Sequence, residues 1–429
     1  MNVPVLRRWE GFYDEERETM RPERRAELHR DLLRETVRYA YENAPGARRK
    51  MQEAGVRPED IREIADLAKI PLTRKAELKH LQKAEPPFGG LAAAAPRSMR
   101  RIYVSPGPTY DPEGRGRTHW RWEKAFFAAG FREGDIVQNT FSYHLSPAGL
   151  MFEEALLKIG CTVIPAGVGN TELQAQVMKE LSVTGYTGTP SFLLTLLEKA
   201  RESGFADGGG IGLQVALVAG EMLPESLRTR LREEFGVQVR QAYGTADAGA
   251  LGYECREAAG MHVPDEILIE LLDPVSGAPV PPGAVGEVVV TLPDRTYPLV
   301  RFATGDLSLL SNDPCPCGRT SPRLLKIAGR VDQVTKVKGM FVHPEQVSQI
   351  EGKVREISSA QIVVTRDGHE DRMEIRVVLR EGTSSSEGLS ARIVEEARGI
   401  TRLGAAVRFV SPGEVEEGGK KIVDRRKWD

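Results

Sequence analysis

Short apolar runs alternate with amphipathic stretches from Ile102 to about Leu310, and this alternation constrains the fold of the 429-residue chain more than any other feature. The apolar runs are strand-like and bounded by Gly or Pro: DIVQNTF, CTVIPAG, VTGYTGTP and LQVALVAG. The stretches between them have helical spacing: GLMFEEALLKI, ELQAQVMKEL, SFLLTLLEKA and ESLRTRLREEF. This alternation predicts an α/β domain on a parallel sheet, with ligands at the carboxyl ends of the strands.

The flanking segments have other patterns. Residues 1–85 are expected to form a helical N-terminal segment of an N-terminal domain over 1–328, with a helix stop at Asn43-Ala44-Pro45-Gly46. β-rich pieces follow from about residue 262. Residues 331–429 are expected to form a small α+β domain, in which QIVVTRDGHEDRMEIRVVLR is a hairpin and LSARIVEEARGI a helix.

Composition excludes several classes of protein. The 59 basic and 61 acidic residues give a net charge of -2, which provides no general attraction to nucleic acid or membranes. No apolar run approaches the ~18 residues of a membrane span, and the first ten residues lack the apolar middle of a secretory signal. Four cysteines make no disulfide framework. A cytoplasmic location is expected.

Four short pieces carry candidate chemistry. VAGEML follows a buried strand and lets the backbone approach a flat ligand. QAYGTADAG offers an aromatic ring, a glycine, a hydroxyl and a carboxylate within a few residues. RFATGDL ends a strand on a carboxylate, and GRVDQVTKVKG is a turn-prone junction between the two domains.

Through these pieces together, the chain resembles the AMP-forming, adenylate-forming acyl-CoA ligases and, within them, the phenylacetate–CoA ligase group. Nine fragments carry the resemblance in the family's order: RYAYENAP, AGVRPEDIREIADLAKIPLTRKAEL, AAGFREGDIV, IGCTVIPAG, TGTPSFLL, AYGTADAG, TGDLSLL, CPCGRTSPRL and IAGRVDQV. The resemblance implies a two-step reaction. A carboxylate attacks the α-phosphate of ATP to give an acyl-adenylate, and the thiol of CoA then displaces AMP, with a mobile C-terminal domain rotating between the steps.

The resemblance also assigns the adenosine-binding residues. Ala219, Gly220 and Glu221 would line the adenine pocket. Tyr243, followed by Gly244, would stack on the purine.

Further roles concern the phosphates, the ribose and the hinge. Thr245 would hydrogen-bond the α-phosphate, and Asp247, where the family usually has Glu, would be the acid associated with Mg²⁺. Asp306 would take the ribose hydroxyls, and Arg330 would support the ribose or phosphate. Asp332 occupies the hinge position.

The phosphate loop, in YVSPGPTYDPEGRGRTHW, departs from the family pattern. Ser105, Gly107 and Thr109 are retained, whereas the loop lysine is absent and two prolines each remove a backbone donor. Arg115 and Arg117 are candidates to replace the missing charge, or else belong to a solvent-exposed loop.

The acyl pocket and the C-terminal lysine are less sharply defined. NTFSYHLSPAGLMF matches the family's pocket region, where Tyr143, His144 and Pro147 are candidates to line a site for a small aromatic acid. His144 is equally compatible with a structural role. EEGGKKIVDRRKWD offers Lys420 and Lys421 for the family's catalytic lysine; alignment backward from IVDRR places that lysine on Gly418, a small deletion would restore Lys420, and we favour Lys420.

Cysteine and histidine residues suggest a metal site. Cys255 and His262 form one cluster and Cys315 and Cys317 another, together a Cys₃His set suited to structural Zn²⁺. Similar members of the group carry the same pieces. The alternative is a set of unrelated reduced thiols. Cys161, on an apolar strand, is expected to be a core residue.

The resulting hypothesis is an AMP-forming carboxylate–CoA ligase that uses ATP, Mg²⁺ and CoA on a small aryl or short acyl acid, with a homodimer expected from the family. One alternative is a catalytically impaired nucleotide-binding relative, because the phosphate loop is degenerate. Another is an adenylating enzyme with an acceptor other than CoA.

Overall fold

The computed structural model describes residues 8–105, 109–116, 120–205, 211–331, 334–337, 340–367, 370–415 and 420–426. Its helices are α1 (Glu15–Glu18), α2 (Pro22–Asn43), α3 (Pro45–Glu53), α4 (Leu78–Ala84), α5 (Glu123–Ala128), α6 (Ala148–Ile159), α7 (Thr171–Glu180), α8 (Pro190–Glu202), α9 (Glu225–Phe235), α10 (Pro344–Lys353) and α11 (Glu387–Thr401).

The strands are β1 (Thr73–Arg74), β2 (Arg101–Ser105), β3 (Thr109–Glu113), β4 (Ile136–Asn139), β5 (Thr162–Pro165), β6 (Gly185–Gly188), β7 (Val215–Val218), β8 (Gln238–Thr245), β9 (Gly249–Glu254), β10 (Met261–His262), β11 (Leu268–Leu272), β12 (Gly286–Thr291), β13 (Phe302–Ser311), β14 (Arg323–Arg330), β15 (Thr335–Val337), β16 (Met340–Val342), β17 (Ile357–Asp367), β18 (Glu370–Leu379), β19 (Ala406–Phe409) and β20 (Ile422–Asp424). Most of them belong to one large mixed sheet.

The predicted parallel α/β sheet is confirmed. Strands β5, β4, β6, β7 and β8 lie side by side in that order and all pair in parallel. Each connection between them carries one of the helices α6 to α9. The helices bury apolar side chains against the strands, among them Leu193, Leu196 and Leu231 at 0% exposure. The apolar runs are therefore the sheet, and the amphipathic stretches are the crossovers that cover it.

An antiparallel half extends the same sheet from β9 to β14. It also receives β1, which pairs in parallel with β13 through Thr73 with Phe302 and Arg74 with Ala303. This strand lies in the stretch that was expected to be helical. The helical pattern is interrupted after α3, where Pro71 precedes the strand and the Lys50 ammonium donates to the carbonyl of Leu72 at 2.8 Å.

The chain divides into two compact units. The first comprises Met1–Thr304 and Leu309–Lys326, and the second comprises Gly305–Ser308 and Ile327–Asp429. The second unit holds a four-stranded sheet in the order β19-β18-β17-β20, whose β17 and β18 form the expected hairpin. Helices α10 and α11 pack into its core. Among the described residues, none of the helices has the length and apolar character needed to cross a membrane.

Candidate active site and a Cys/His cluster

The carboxyl ends of β7 and β8 bring two predicted nucleotide-binding segments side by side. Val218 at the end of β7 pairs with Gln241 of β8, so the segment that leaves β7 runs beside the end of β8. Ala219 is buried there, whereas Gly220 and Glu221 are exposed. Gly220 has a φ of +83°, a left-handed conformation that favours glycine. Ends of adjacent parallel strands are where α/β proteins bind ligands.

Tyr243 and Gly244 lie on β8 next to this segment. The Tyr243 hydroxyl donates to Thr304 Oγ1 of β13 at 3.3 Å, and the tyrosine is 8% exposed. A Cβ atom at Gly244 would lie 2.4 Å from the carbonyl oxygen of Gly249 and 2.6 Å from the ring of Trp122. The backbone at this position is packed too closely for any side chain.

Thr245 and Asp247 form the turn that follows β8. The Thr245 hydroxyl oxygen accepts the Ala248 N–H at 3.1 Å, which fixes this side chain against the turn. The Asp247 carboxylate is fully buried, and its Oδ2 accepts the Lys75 ammonium at 2.6 Å. Lys75 follows β1, so a residue of the N-terminal segment contributes directly to this turn.

The phosphate loop is joined to the same cluster through Asp111. Ser105 Oγ donates to Asp111 Oδ2 at 2.5 Å and lies 3.0 Å from Thr109 Oγ1. Gly107 and Arg117 lie outside the described residues, and Arg115 donates to the Ser98 carbonyl at 3.1 Å.

Asp111 and Asp247 form a buried acidic pair. Both residues are at most 4% exposed, and the Oδ1 atom of each meets no hydrogen-bonding nitrogen or hydroxyl group in the described part of the chain. Burial and the negative charge of Asp247 raise the pKa of Asp111 to about 8. At neutral pH the Asp111 carboxyl group is therefore mainly protonated.

The second unit holds the other predicted nucleotide residues. Arg330 Nη1 donates to Asp306 Oδ1 at 2.7 Å, and the arginine side chain is 46% exposed. Gly305 has a φ of +81°, and a Cβ atom there would lie 2.9 Å from the Arg330 guanidinium. The structure thus brings together the residues predicted for the ribose. Asp332, the predicted hinge, lies outside the described residues.

The two candidate C-terminal lysines differ in their contacts. Lys421 Nζ is bonded to Glu351 Oε1 at 2.5 Å. Lys420 is exposed, and only its backbone carbonyl is engaged, by the Gln361 amide at 2.8 Å, within the part of the chain that the structure describes. The exposed ammonium favours Lys420.

A cavity of about 310 Å³ lies beside the segment that holds the predicted acyl-pocket residues, none of which is among its lining residues. The cavity is lined by Thr140, Phe141, Ser142, Ser146, Ala148, Val168, Gly169, Thr189 and Phe192. Tyr143 is tied to Asn139 Nδ2 at 2.9 Å, and burial, with the charge of Glu153, raises its pKa. His144 is exposed and Pro147 is buried at the start of α6. The cavity borders the predicted segment, but its lining residues are not the three predicted ones, whose role in binding the acid stays a prediction.

The four predicted metal-ligand residues come together. Their ligand atoms, from Cys255, His262, Cys315 and Cys317, all lie within 4.8 Å of one another, and all four residues are buried. Cys255 Sγ and Cys315 Sγ are 3.7 Å apart. Bonds of ~2.3 Å to a tetrahedral Zn²⁺ require sulfur atoms ~3.8 Å apart, so the arrangement fits this ion.

The surroundings of the cluster suit metal ligands. The His262 Nε2 atom is 3.5 Å from Cys317 Sγ, while its Nδ1 atom is 3.3 Å from the Ser321 hydroxyl, which orients the ring. Hydrogen bonds from Cys255 and His262 lower the pKa of Cys317, and the bond to Cys317 raises that of Cys255. Cys161, expected as a core residue, is buried, with its Sγ 3.4 Å from the Arg132 carbonyl.

Lys75 and Asp111 were missed as site residues by sequence reasoning. Asp111 lies inside the quoted phosphate loop, two positions after Thr109, and its acidic character was a visible signal there. Lys75 lies in PLTRKAEL, which carries no local sign of a contact with the turn after β8.

Comparison with known families gives two matches that together span both units. Residues 118–294 match the AMP-binding enzyme family, and residues 339–426 match the AMP-binding enzyme C-terminal domain. Among curated proteins, the phenylacetate-coenzyme A ligase of Thermus thermophilus is 32% identical over 97% of this chain and 100% of its own length. That of Aromatoleum evansii is 30% identical over 93% of this chain and 94% of its own.

Solved structures agree in fold. A 2-hydroxyisobutyryl-CoA ligase in an open conformation, in complex with 2-HIB-AMP and CoA, has a TM-score of 0.82 at 24% identity and covers 99% of this chain and 96% of its own. The same ligase in the postadenylation state with 2-HIB-AMP has a TM-score of 0.78 at 25% identity, with coverages of 99% and 94%. The fold seen here is therefore that of enzymes solved with acyl-adenylates.

Proposed function

The chain belongs to the AMP-binding enzymes, within their phenylacetate–coenzyme A ligase group, and from this membership we propose which acid it activates and which residues act on it. It is an AMP-forming carboxylate–CoA ligase, with ATP and CoA as co-substrates. Neither alternative, an impaired nucleotide-binding relative or an enzyme with another acceptor, is supported by the relatives.

One observation carries the assignment of the nucleotide site. The register of β7 with β8 sets the Ala219–Glu221 segment beside Tyr243, at the strand ends where this kind of sheet binds ligands. We assign the adenine to this place, with the Tyr243 ring against the purine. In the second unit, Asp306 and Arg330 are assigned to the ribose hydroxyls and the phosphate.

The chemistry of the first step is displacement at the α-phosphate. The acid's carboxylate oxygen forms a bond to the phosphorus while the bond to pyrophosphate breaks, and negative charge accumulates on the leaving oxygen. Thr245 is proposed to hydrogen-bond the α-phosphate through its hydroxyl proton, since its oxygen already accepts from Ala248. Lys420 is proposed to stabilise the adenylation transition state.

Asp247 is the candidate ligand for Mg²⁺. Its buried Oδ1 oxygen meets no hydrogen-bonding nitrogen or hydroxyl group among the described residues, which fits a carboxylate that completes its coordination with a cation. When bound, the ion neutralises phosphate charge. Asp247 would orient it, and Gly244 leaves the room that Gly249 and the ring of Trp122 need to pack against β8.

The acid is proposed to be a small aryl or short acyl carboxylate. The cavity of about 310 Å³ opens among Phe141, Thr189 and Phe192. Its Phe141 ring stacks on Phe152 with centroids 4.7 Å apart, which provides a flat apolar wall. A flat wall and a limited volume suit a planar or branched small acid better than a long chain.

The Cys/His cluster is proposed to hold a structural Zn²⁺. The four ligand residues lie at the end of β9, in β10 and in the turn between β13 and β14, so a bound ion would tie three parts of the sheet together. Four protein ligands leave no position for a reactive water. A cytoplasmic location and a homodimer remain proposals from the sequence.

A panel assay tests the function. Purified protein is incubated with ATP, Mg²⁺ and CoA and with aryl or short aliphatic acids, and pyrophosphate, AMP and acyl-CoA are measured. We expect all three products in equal amounts with at least one aryl acid. AMP binding without pyrophosphate release on the whole panel would contradict the assignment, and acyl-adenylate without thioester would contradict CoA as the acceptor.

A further inference from the structure

The phosphate loop presents an acidic group where phosphate binding requires a cation. Ser105 and Thr109 are the loop's described hydroxyl residues, and they are linked to Asp111 rather than to any basic residue. Asp111 is 1% exposed, so its carboxyl group is a buried part of this loop. Arg115 is exposed and bonded to the Ser98 carbonyl. The described part of the loop therefore supplies hydroxyl groups and one basic side chain, Arg115, which is bonded to the Ser98 carbonyl.

Lys75 supplies a positive charge beside this loop. Its ammonium lies 2.6 Å from Asp247, whose carboxylate has 0% exposure, whereas the Lys75 side chain is 31% exposed. The ammonium thus meets the buried acid, while part of the Lys75 side chain is open to solvent. An ammonium group has three N–H donors, so the bond to Asp247 leaves donors for a second partner.

The pairing of β1 with β13 holds Lys75 in this place. Thr73 and Arg74, directly before it, pair with β13, and the Thr73 N–H donates to the Arg301 carbonyl at 2.9 Å. The same strand β13 contains Thr304, which accepts the Tyr243 hydroxyl. Lys75 is thereby anchored to the strand that also contacts the proposed purine platform.

We propose that Lys75 binds the β- and γ-phosphates of ATP and stabilises the departing pyrophosphate, in place of the lysine that the phosphate loop lacks. The inference rests on the proposed function. As the acid's oxygen bonds to the α-phosphorus, the electron pair of the breaking bond passes to the pyrophosphate oxygen, and the Lys75 ammonium neutralises part of that charge without giving up its proton. Phosphate is a usual partner for a lysine held in a defined place.

A phosphate-binding role of Lys75 can be distinguished from a purely structural role by comparing the binding of ATP with that of AMP. A structural ion pair between Lys75 and Asp247 would shape the turn after β8, so its loss would weaken ATP and AMP binding alike. Loss of a direct contact with the outer phosphates would weaken the binding of ATP, which has these phosphates. The binding of AMP, which lacks them, would stay unchanged.

The experiment measures ATP and AMP affinities of the full chain by calorimetry in two backgrounds. Because Lys75→Met alone leaves the buried Asp247 carboxylate unpaired, the decisive comparison is Asp247→Asn against the double variant Lys75→Met/Asp247→Asn. We expect ATP to bind at least tenfold more weakly to the double variant, and AMP to bind within twofold. Lys79→Met, at an exposed lysine of the same segment, is the matched control and should match wild type for both nucleotides.

Each other outcome is decisive. Unchanged ATP affinity in the double variant overturns the proposal, and so does an equal loss of ATP and AMP affinity. If wild-type protein binds ATP and AMP but the two variants do not differ as expected, the proposed ligase function stays intact. Wild-type protein that binds neither nucleotide removes the function and the inference together.

Discussion

The ammonium of Lys75 lies 2.6 Å from the carboxylate of Asp247, although 172 residues separate the two in the chain. Exposed ion pairs contribute little to protein stability, but this carboxylate is fully buried. The N-terminal segment therefore contributes a side chain to the turn that follows β8 and does not only pack against the sheet.

Replacing Lys75 should destabilise the protein through the charge it leaves behind. Lys75→Met leaves the buried Asp247 carboxylate without its paired cation. Since Lys75 itself is partly exposed, we expect a loss of about 2 kcal/mol in the free energy of unfolding. The double variant Lys75→Met/Asp247→Asn should recover most of this loss, because no unpaired charge remains. Urea unfolding followed by circular dichroism measures both. Lys79→Met should stay within about 0.5 kcal/mol of wild type; an equal loss there would refute the explanation.

Asp111 should make stability depend on pH. Its pKa is about 8 in the folded protein because of burial and the charge of Asp247, whereas an unfolded aspartate ionises near ~4. Between these values the folded state holds a proton that the unfolded state has lost, so this group's contribution to stability is complete below about pH 4 and declines as pH rises to about 8.

The variant Asp111→Asn removes this dependence. The free energy of unfolding of the variant, minus that of wild type, should increase as pH rises from 5 to 8, by at most about 1.4 kcal/mol per pH unit. Above pH 8 this difference should not increase further. Denaturant titrations at four pH values would show the trend. Asp31→Asn, at an exposed aspartate, should follow wild type throughout. Parallel curves for Asp111→Asn and wild type would contradict the buried, protonated state.

The Cys/His cluster predicts one zinc ion per chain. Changing Cys315 and Cys317 to Ser should abolish zinc in elemental analysis and lower the melting temperature, since two of the four ligands are lost. The control is Cys161→Ser, which changes a buried thiol bonded to the Arg132 carbonyl and should leave the zinc content unchanged. Metal-free protein with the normal melting temperature would exclude the site.

Much of the fold followed from local sequence patterns. The strands and helices between β4 and α9 were predictable because their spacing is set by which residues face the sheet. The cluster of Cys255, His262, Cys315 and Cys317 was predictable because such residues are rare in this chain and have few other common uses. These inferences needed no knowledge of long-range contacts.

The contacts of Lys75 could not be predicted in this way. Its place depends on β1, a strand of two residues in a stretch with mainly helical character, whose partner strand lies more than 200 residues later. Two residues have no measurable period, so the pairing with β13 decides the structure there. Asp111 was visible in the sequence, but its meaning depends on a carboxylate that faces it only in the folded chain.

The last prediction distinguishes the two C-terminal lysines by their contacts. Lys421 is bonded to Glu351 at 2.5 Å, whereas the Lys420 side chain is exposed. If Lys420 stabilises charge in the adenylation transition state, Lys420→Ala should lower acid-dependent pyrophosphate release at least tenfold, as should Asp306→Ala through the loss of its proposed ribose contact. Lys421→Ala should retain most adenylation activity and lose some stability. Thioester formation from a supplied acyl-adenylate separates the steps, since Lys420→Ala should leave that reaction largely intact. A tenfold loss of pyrophosphate release in Lys421→Ala, with normal release in Lys420→Ala, would reverse the assignment. The ion pair between Lys421 and Glu351 would then have to open for Lys421 to act.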